Sequence, residues 1–375
     1  MDYEIKILPD PLPFEKIAAL FKETYSVKYF ESGSCDWANP KYMDWYLGAY
    51  HHNKRFFYSA WKGDRLIATM FGTPNKLKLE NKLELNPISI GLTATLPEFQ
   101  RQGIQKALLT RMIEDATNAG IDFLYSFPEK GFGGNELLKN HFNFKRLLKN
   151  QQHFIKVMSD YGRKILHDYR GLNIVLAKLL KLYAGIPNNE LEGGAIRDGK
   201  DSDIPTVTNI LNSYQKRIPI SQIWTESHVR EEIEGAGRMN EMFEEPWGFH
   251  WKIWERDGKI LGSMLIRIEM IHFKKGSAPV ALMSETVFHE EATISEKAGV
   301  VATIVRWVRD KYPKVFTVQT TQPQYEIKAY KALKFIDDTS TYEFLVLPLS
   351  EKGQTLVGEE KKKKKYKELF MPYHR

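Results

Sequence analysis

Cysteine occurs once in the 375 residues, at Cys35. A single thiol excludes an internal disulfide and a cysteine-rich metal centre, and it suits a reducing compartment. Long apolar runs are also missing. The most lipid-like stretch, Leu172 to Ile186, is interrupted by Lys178 and Lys181 and falls short of the roughly 20 residues a helical span requires. Met1-Asp2-Tyr3-Glu4 opens on acids, so no secretory leader is expected and the chain reads as soluble and cytoplasmic. P-loop, dinucleotide fingerprint and serine-nucleophile elbow are all absent. The pair His51-His52 has no Cys or carboxylate at ligand spacing, so no metal is expected. Acidic and basic residues nearly balance outside the C-terminus. The net charge is +7, but residues 359–375 carry seven Lys/Arg and three Glu, which leaves only +3 elsewhere. That lysine-rich tail reads as a solvated end, or alternatively as a contact for RNA or an anionic surface.

What is present is ample apolar material. Hydrophobic residues make up 42% and aromatics 13% of the chain, enough for two cores at this length. The most informative stretch is Leu96-Pro97-Glu98-Phe99-Gln100-Arg101-Gln102-Gly103-Ile104-Gln105-Lys106. An apolar run, Ile88 to Thr95, precedes it. Apolar residues at helical spacing follow it, at Ile104, Leu108 and Met112. Strand, glycine turn and helix start thus come in order. The start of a helix offers unpaired N–H groups and the positive end of the dipole, a setting that suits a pyrophosphate.

These residues resemble the acyl-CoA signature of the GNAT N-acetyltransferase superfamily, Gln/Arg-x-x-Gly-x-Gly/Ala. Gln100 and Gly103 match, and Pro97 sits where that family often has proline. Gln105 departs from the pattern, which wants a small residue so that backbone can approach phosphate. Its side chain either crowds the cofactor or turns away and leaves the N–H groups open. The resemblance implies an α/β (α+β) fold, a mixed twisted sheet flanked by helices. In it the strands on either side of the long helix splay and acyl-CoA lies between them. Those strands would be Leu85–Thr95 and Phe123–Phe127.

The pattern occurs twice. Trp61-Lys62-Gly63-Asp64 and Trp254-Glu255-Arg256-Asp257-Gly258 lie 193 positions apart, and Asn140-His141-Phe142-Asn143-Phe144 resembles Lys331-Ala332-Leu333-Lys334-Phe335 at an offset of 191. Two tandem GNAT-like domains are therefore expected, over 1–155 and 193–350. A helical connector would span 156–192 and a mobile basic tail 351–375. Residues Phe144–Phe154 are predicted to close the first lobe and Tyr342–Pro348 the second. In the second lobe the stretch matching the phosphate turn, His289-Glu290-Glu291-Ala292-Thr293-Ile294-Ser295-Glu296, lacks glycine and is acidic. Carboxylates there repel a pyrophosphate by about 1 to 4 kcal/mol per pair at 4 Å. The second lobe is expected to be a degenerate copy.

By resemblance, acetyl-CoA is held by Thr93 and Thr95 on the strand and by Gln100, Arg101, Gln102, Gly103, Ile104, Gln105 and Lys106 at the turn. The acyl group passes by direct attack to a primary amine on a small molecule or peptide, with a strand N–H stabilising the oxyanion. The tyrosine that protonates the thiolate in that family aligns with Lys139, so Tyr125 and His141 are the nearby substitutes and Tyr330 the second-lobe counterpart. Glu129, in the loop after the second splayed strand, is the leading candidate base; Asp122, Glu136 and Glu84 are alternatives. Two other classes stay open: a Fem-like transferase using aminoacyl-tRNA, and a non-catalytic scaffold of the same fold.

Overall fold

The computed structural model describes residues 3–29, 35–50, 54–128, 133–148, 153–158, 185, 187–273, 275–321, 326–338, 343–361 and 369–370. The first lobe begins with β1 (Glu4–Ile7), then α1 (Phe14–Tyr29) and α2 (Pro40–Tyr50). β2 (Phe56–Lys62) and β3 (Arg65–Pro74) form the hairpin predicted from Gly63-Asp64, with Gly63 at a φ of 57°. The small strands β4 (Leu77–Leu79) and β5 (Leu83–Leu85) precede β6 (Pro87–Thr95). The long helix α3 (Ile104–Asn118) follows, then β7 (Phe123–Ser126). A short α4 (Gly133–Glu136) runs into a π-helical turn over Leu137–His141, ahead of β8 (Lys145–Leu148) and β9 (His153–Val157).

α3 buries Ile104, Leu108, Leu109, Met112 and Ala116, the stripe its spacing predicts. It ends at Ala119, and Gly120 at a φ of 70° provides the left-handed stop. Gly72 on β3 lets it lie close: a Cβ there would meet Ile88 and Phe56 at 2.9 Å and the Met112 side chain at 3.1 Å.

The second lobe repeats this order. It runs through β10 (Ala195–Asp198), α5 (Ile204–Ser213), β11 (Ile220–Gln222) and α6 (Glu226–Met242). The antiparallel strands β12 (Gly248–Arg256), β13 (Lys259–Phe273) and β14 (Gly276–Phe288) lead to α7 (Ile294–Lys311). β15 (Thr317–Thr321), α8 (Ile327–Ala332), β16 (Ile336–Asp338) and β17 (Phe344–Pro348) follow. The expected tail is structured in part: α9 covers Glu351–Lys361 and β18 covers Leu369–Phe370. α9 folds because Gly353, Leu356 and Val357 form an apolar stripe that packs on β17 and β8.

One sheet runs β1-β2-β3-β6-β7-β17-β8 and the other β10-β12-β13-β14-β15-β9-β16. The closing strands are therefore exchanged, contrary to the expectation for Phe144–Phe154 and Tyr342–Pro348. Residues 344–348 leave the second half of the sequence and insert between β7 and β8. Residues 153–157 leave the first half and insert between β15 and β16. Alternating apolar residues specify a strand but not which of two similar sheets receives it. A third sheet, β18-β11-β4-β5, joins strands of both halves.

The lobes share a core. One apolar cluster extends from Trp45, Tyr46 and Phe71 to Met239, Ala236 and Ile253. Within the interface the Arg267 guanidinium lies 2.6 Å from Glu269, whose other oxygen accepts from Tyr42 Oη at 3.2 Å. Among the described residues no helix is long and apolar enough to cross a membrane, and no group of His, Cys, Asp or Glu could hold a metal.

Candidate functional site

The β6–β7 pair opens as a fork. Pro87, Ile88 and Ser89 pair in parallel with Phe123, Leu124 and Tyr125, while β6 continues to Thr95 with no β7 partner. Ser126 Oγ pins the crotch by donating to Ile90 O at 2.9 Å. Just beyond, Leu92 adopts a φ of 45° and the register slips, so that Gly91 faces Phe71 and Ala94 faces Thr69. Leu92 and Thr93 form the bulge. A bulge disrupts the local ladder and leaves its extra residue unpaired. Tyr25 Oη donates to Thr93 O and Thr69 Oγ1 to Leu92 O, so both bulge carbonyls have side-chain partners.

At the mouth of the fork lies the predicted turn. Pro97–Phe99 form one 3₁₀ turn, Arg101 and Gly103 are both left-handed at φ 62° and 80°, and α3 starts at Ile104 with no side chain capping it. Gln100, Arg101, Gln102, Gly103 and Lys106 are exposed, and Ile104 is buried. Left-handed residues interspersed before a helix make a concave nest of N–H groups. The turn is braced from behind: Gln100 Nε2 donates to Thr95 O at 3.1 Å and Gln102 Nε2 to Glu98 O at 2.8 Å. Glu98 is itself paired to Arg65 at 2.7 Å.

Gln105 does not crowd this surface. Its amide turns inward, where Nε2 donates to Ala94 O and Thr95 Oγ1 at 2.8 Å and to Thr69 O at 3.2 Å. It replaces the ladder bonds lost at the bulge. Gln105→Ala leaves these buried acceptors unpaired, so stability should fall by about 1–3 kcal/mol while the turn keeps its shape. Urea unfolding and a ligand titration, run on the same variant, separate the two effects. Thr95 is buried with its hydroxyl and carbonyl committed to Gln105 and Gln100, so of the two strand threonines only Thr93 stays half-open at the fork.

The expected catalytic groups fare differently. Tyr125 is fully buried, accepts from Asn75 Nδ2 at 2.8 Å and packs with Phe123, Phe127 and Phe344; burial pushes its phenol far up. It is a core residue, with no part of its side chain open to solvent. Tyr330 is also fully buried, beside Thr286 and Thr320 in the second lobe, with its phenol raised by burial and by Glu326. It walls no cleft of the first lobe. Glu129 and His51-His52 lie outside the described residues. Asp122 is consumed structurally, accepting from Asn86 N at 2.8 Å and Ser350 Oγ at 2.7 Å. Burial and the nearby Glu269 push the Cys35 thiol up to about 12, which disfavours its thiolate.

Sequence reasoning missed Glu343. It enters just before the exchanged strand β17, where its N–H donates to Pro128 O at 3.2 Å. Its carboxylate, 3% exposed, pairs with Lys139 and with Arg146 at 3.0 Å and accepts from Asn135 at 2.9 Å. Burial opposes ionisation, yet these donors outweigh it and hold Glu343 at about 2. A depressed carboxyl stabilises the fold fully above its unfolded pKa of about 4.3, and that contribution fades as pH falls toward 2. Over that window Glu343 is expected to contribute about 3 kcal/mol. Glu343→Gln should therefore flatten the acid limb of the stability–pH curve, measured by urea unfolding between pH 5 and 2.

In the second lobe the same fork exists but is filled. Val280–Met283 pair with Thr317–Thr320, Thr320 Oγ1 pins Met283 O at 2.9 Å, and Glu285 takes the bulge φ at 42°. These are the positions of Ser126, Ile90 and Leu92 shifted by 193 or 194 residues. Inside it, Tyr214 Oη accepts from Phe288 N at 2.8 Å and donates to Glu326 at 3.2 Å. Lys297 Nζ meets both oxygens of Glu326 at 3.0 and 2.8 Å. The start of α7 is closed by a capping box, with Thr293 and Glu296 satisfying each other's N–H at 2.8 and 3.2 Å.

Residues 14–133 match the family model described as an acetyltransferase (GNAT) domain, a span that includes the fork and the turn. No curated protein matches the chain by sequence. Among solved structures, Saccharomyces cerevisiae N-myristoyltransferase with bound myristoyl-CoA superposes with a TM-score of 0.70 at 13% identity, covering 92% of this chain and 82% of that one. A GCN5-related N-acetyltransferase from Anabaena variabilis gives 0.58 at 8% identity, over 93% of this chain and 73% of that one. The protein has the GNAT fold, laid down twice in tandem.

Proposed function

We propose that the first lobe binds an acyl-CoA at Gln100–Lys106 and passes its acyl group to a primary amine. The carrying observation is the contrast between two homologous turns. One is open, uncapped and flanked by Arg101 and Lys106; the other is capped by its own carboxylate above a fork packed with side chains. A pyrophosphate gains N–H donors and helix-dipole attraction only at the first. On this reading the second lobe is a degenerate, supporting copy.

The chemistry follows from the fork. A neutral amine nitrogen attacks the thioester carbonyl, forming an N–C bond. The oxyanion sits at the bulge N–H groups of Leu92 and Thr93, and collapse breaks the C–S bond. The amine proton leaves to a base or to water, and the thiolate takes a proton from solvent. With Tyr125 and Tyr330 buried and Lys139 engaged by Glu343, neither expected tyrosine is assigned the acid's role, and a thiolate is a good enough leaving group without one. The protein matched above with myristoyl-CoA bound makes a long acyl chain worth testing beside acetyl. The test is release of free thiol from acetyl-CoA and myristoyl-CoA in the presence of mixed primary amines. Amine-dependent thiol release supports the proposal. Tight CoA binding with no turnover by either donor would select the scaffold reading, and salt-sensitive tRNA binding without CoA binding would select aminoacyl transfer.

A further inference from the structure

We infer that Tyr25 and Thr69 are positioning residues for the oxyanion site of the first lobe, an inference that rests on the acyl-transfer reading. The two peptide planes that meet at Thr93 are each held by a side chain from a different element. Thr69 Oγ1, on β3, donates to Leu92 O at 3.4 Å, and Tyr25 Oη, on α1, donates to Thr93 O. A trans peptide is planar, so its N–H points opposite its C=O. β6 lies between β3 and β7. A Leu92 carbonyl drawn toward β3 therefore turns the Thr93 N–H to the other edge of β6. That edge faces the fork, because the pairing of β6 with β7 ends at Ser89.

Strand pairing alone does not fix these planes. Leu92 has a φ of 45°, outside the extended region, and a bulge disrupts the local ladder. The two anchors are themselves fixed. Thr69 is fully buried, and its own carbonyl accepts from Gln105 Nε2 at 3.2 Å. Tyr25 lies 5.2 Å from the ring of Phe21, which in turn packs on Trp37 at 5.9 Å. Stabilising an oxyanion requires donors that are aimed before the charge forms. Water could replace the phenol as a donor to the half-buried Thr93, but water is not tied to α1 and sets no direction. Neither hydroxyl touches a reacting atom on this account; both act through the backbone.

The test uses the full chain carrying nitrogen-15-labelled threonine, with the Thr93 amide identified through Thr93→Ser. The ligands are acetyl-CoA and S-ethyl-CoA, a thioether that lacks the carbonyl oxygen. In the wild type the Thr93 N–H resonance should move downfield with acetyl-CoA and not with S-ethyl-CoA. Tyr25→Phe and Thr69→Val each remove one hydroxyl and nearly keep the shape, and both should lose that difference while still binding acetyl-CoA as tightly. In amine-dependent thiol release their kcat should fall about tenfold at unchanged KM, less than the roughly 10²–10³ that follows outright loss of an oxyanion donor. The resonance decides even where no amine supplied is accepted. A Thr93 signal that responds alike to both ligands in the wild type, or that keeps its difference in both variants, overturns the inference while CoA binding leaves the acyl-transfer reading standing. Parallel loss of kcat, acetyl-CoA affinity and urea midpoint would mark the hydroxyls as structural only and also overturn it. A wild type that binds neither ligand would take down both readings together.

Discussion

Gly103→Asp is expected to lower acyl-CoA affinity by two to three orders of magnitude while leaving the protein folded. The side chain has room, since a Cβ at Gly103 meets nothing within 4 Å. The left-handed φ of 80° is one that Asp and Asn tolerate better than other residues. What changes is charge. A carboxylate about 4 Å from a phosphate oxygen costs about 4 kcal/mol at an effective dielectric of 20. Gly103→Asn introduces the same shape without the charge and should keep affinity within a few-fold. Calorimetric titration of the pair separates electrostatics from backbone strain. Equal loss in both variants would place the fault in the backbone, and no loss in either would remove the turn from the cofactor site.

The second large effect concerns the exchanged strands. Leu345 is fully buried at the centre of β17, between β7 and β8 of the first sheet. Leu345→Asp buries an unpaired carboxylate and removes a core side chain, a combination expected to cost more than about 4 kcal/mol. Although position 345 lies in the second half of the sequence, the damage should appear in the first lobe, as lost acyl-CoA binding. A fragment of residues 1–155 made alone lacks β17 and should show no cooperative unfolding. Co-expression with 156–375 should restore one transition. Cooperative melting of the isolated 1–155 fragment would contradict the exchange.

What the sequence disclosed was local. Strand, glycine turn and helix at 88–118 could be read because spacing, Gly103 and Gly120 each act within a few residues. The duplication was visible in its turns, and the two bulges and two hydroxyl pins at the same offset give it a structural basis. Helix α6 escaped notice because its buried stripe is thin, only Val229, Gly235, Ala236 and Met239, and two of those are poor markers. Its one clear signal was Thr225, whose Oγ1 accepts from His228 N at 3.1 Å. Similarly, α9 was masked by the lysine run that follows it. The inward turn of Gln105 depends on carbonyls freed by a bulge whose φ no side chain announces. Glu343 and its partners lie some 200 residues apart in sequence, and strand exchange leaves no local trace at all.

Calorimetric titration of the intact chain with acetyl-CoA and myristoyl-CoA bears most directly on the open turn as the acyl carrier's seat. A single saturating site per chain, sensitive to salt and abolished by Gly103→Asp, is the result expected. Heat flat to millimolar concentrations of both thioesters would mean that the exposed amides before α3 grip no phosphate, and the catalytic reading would fall with them.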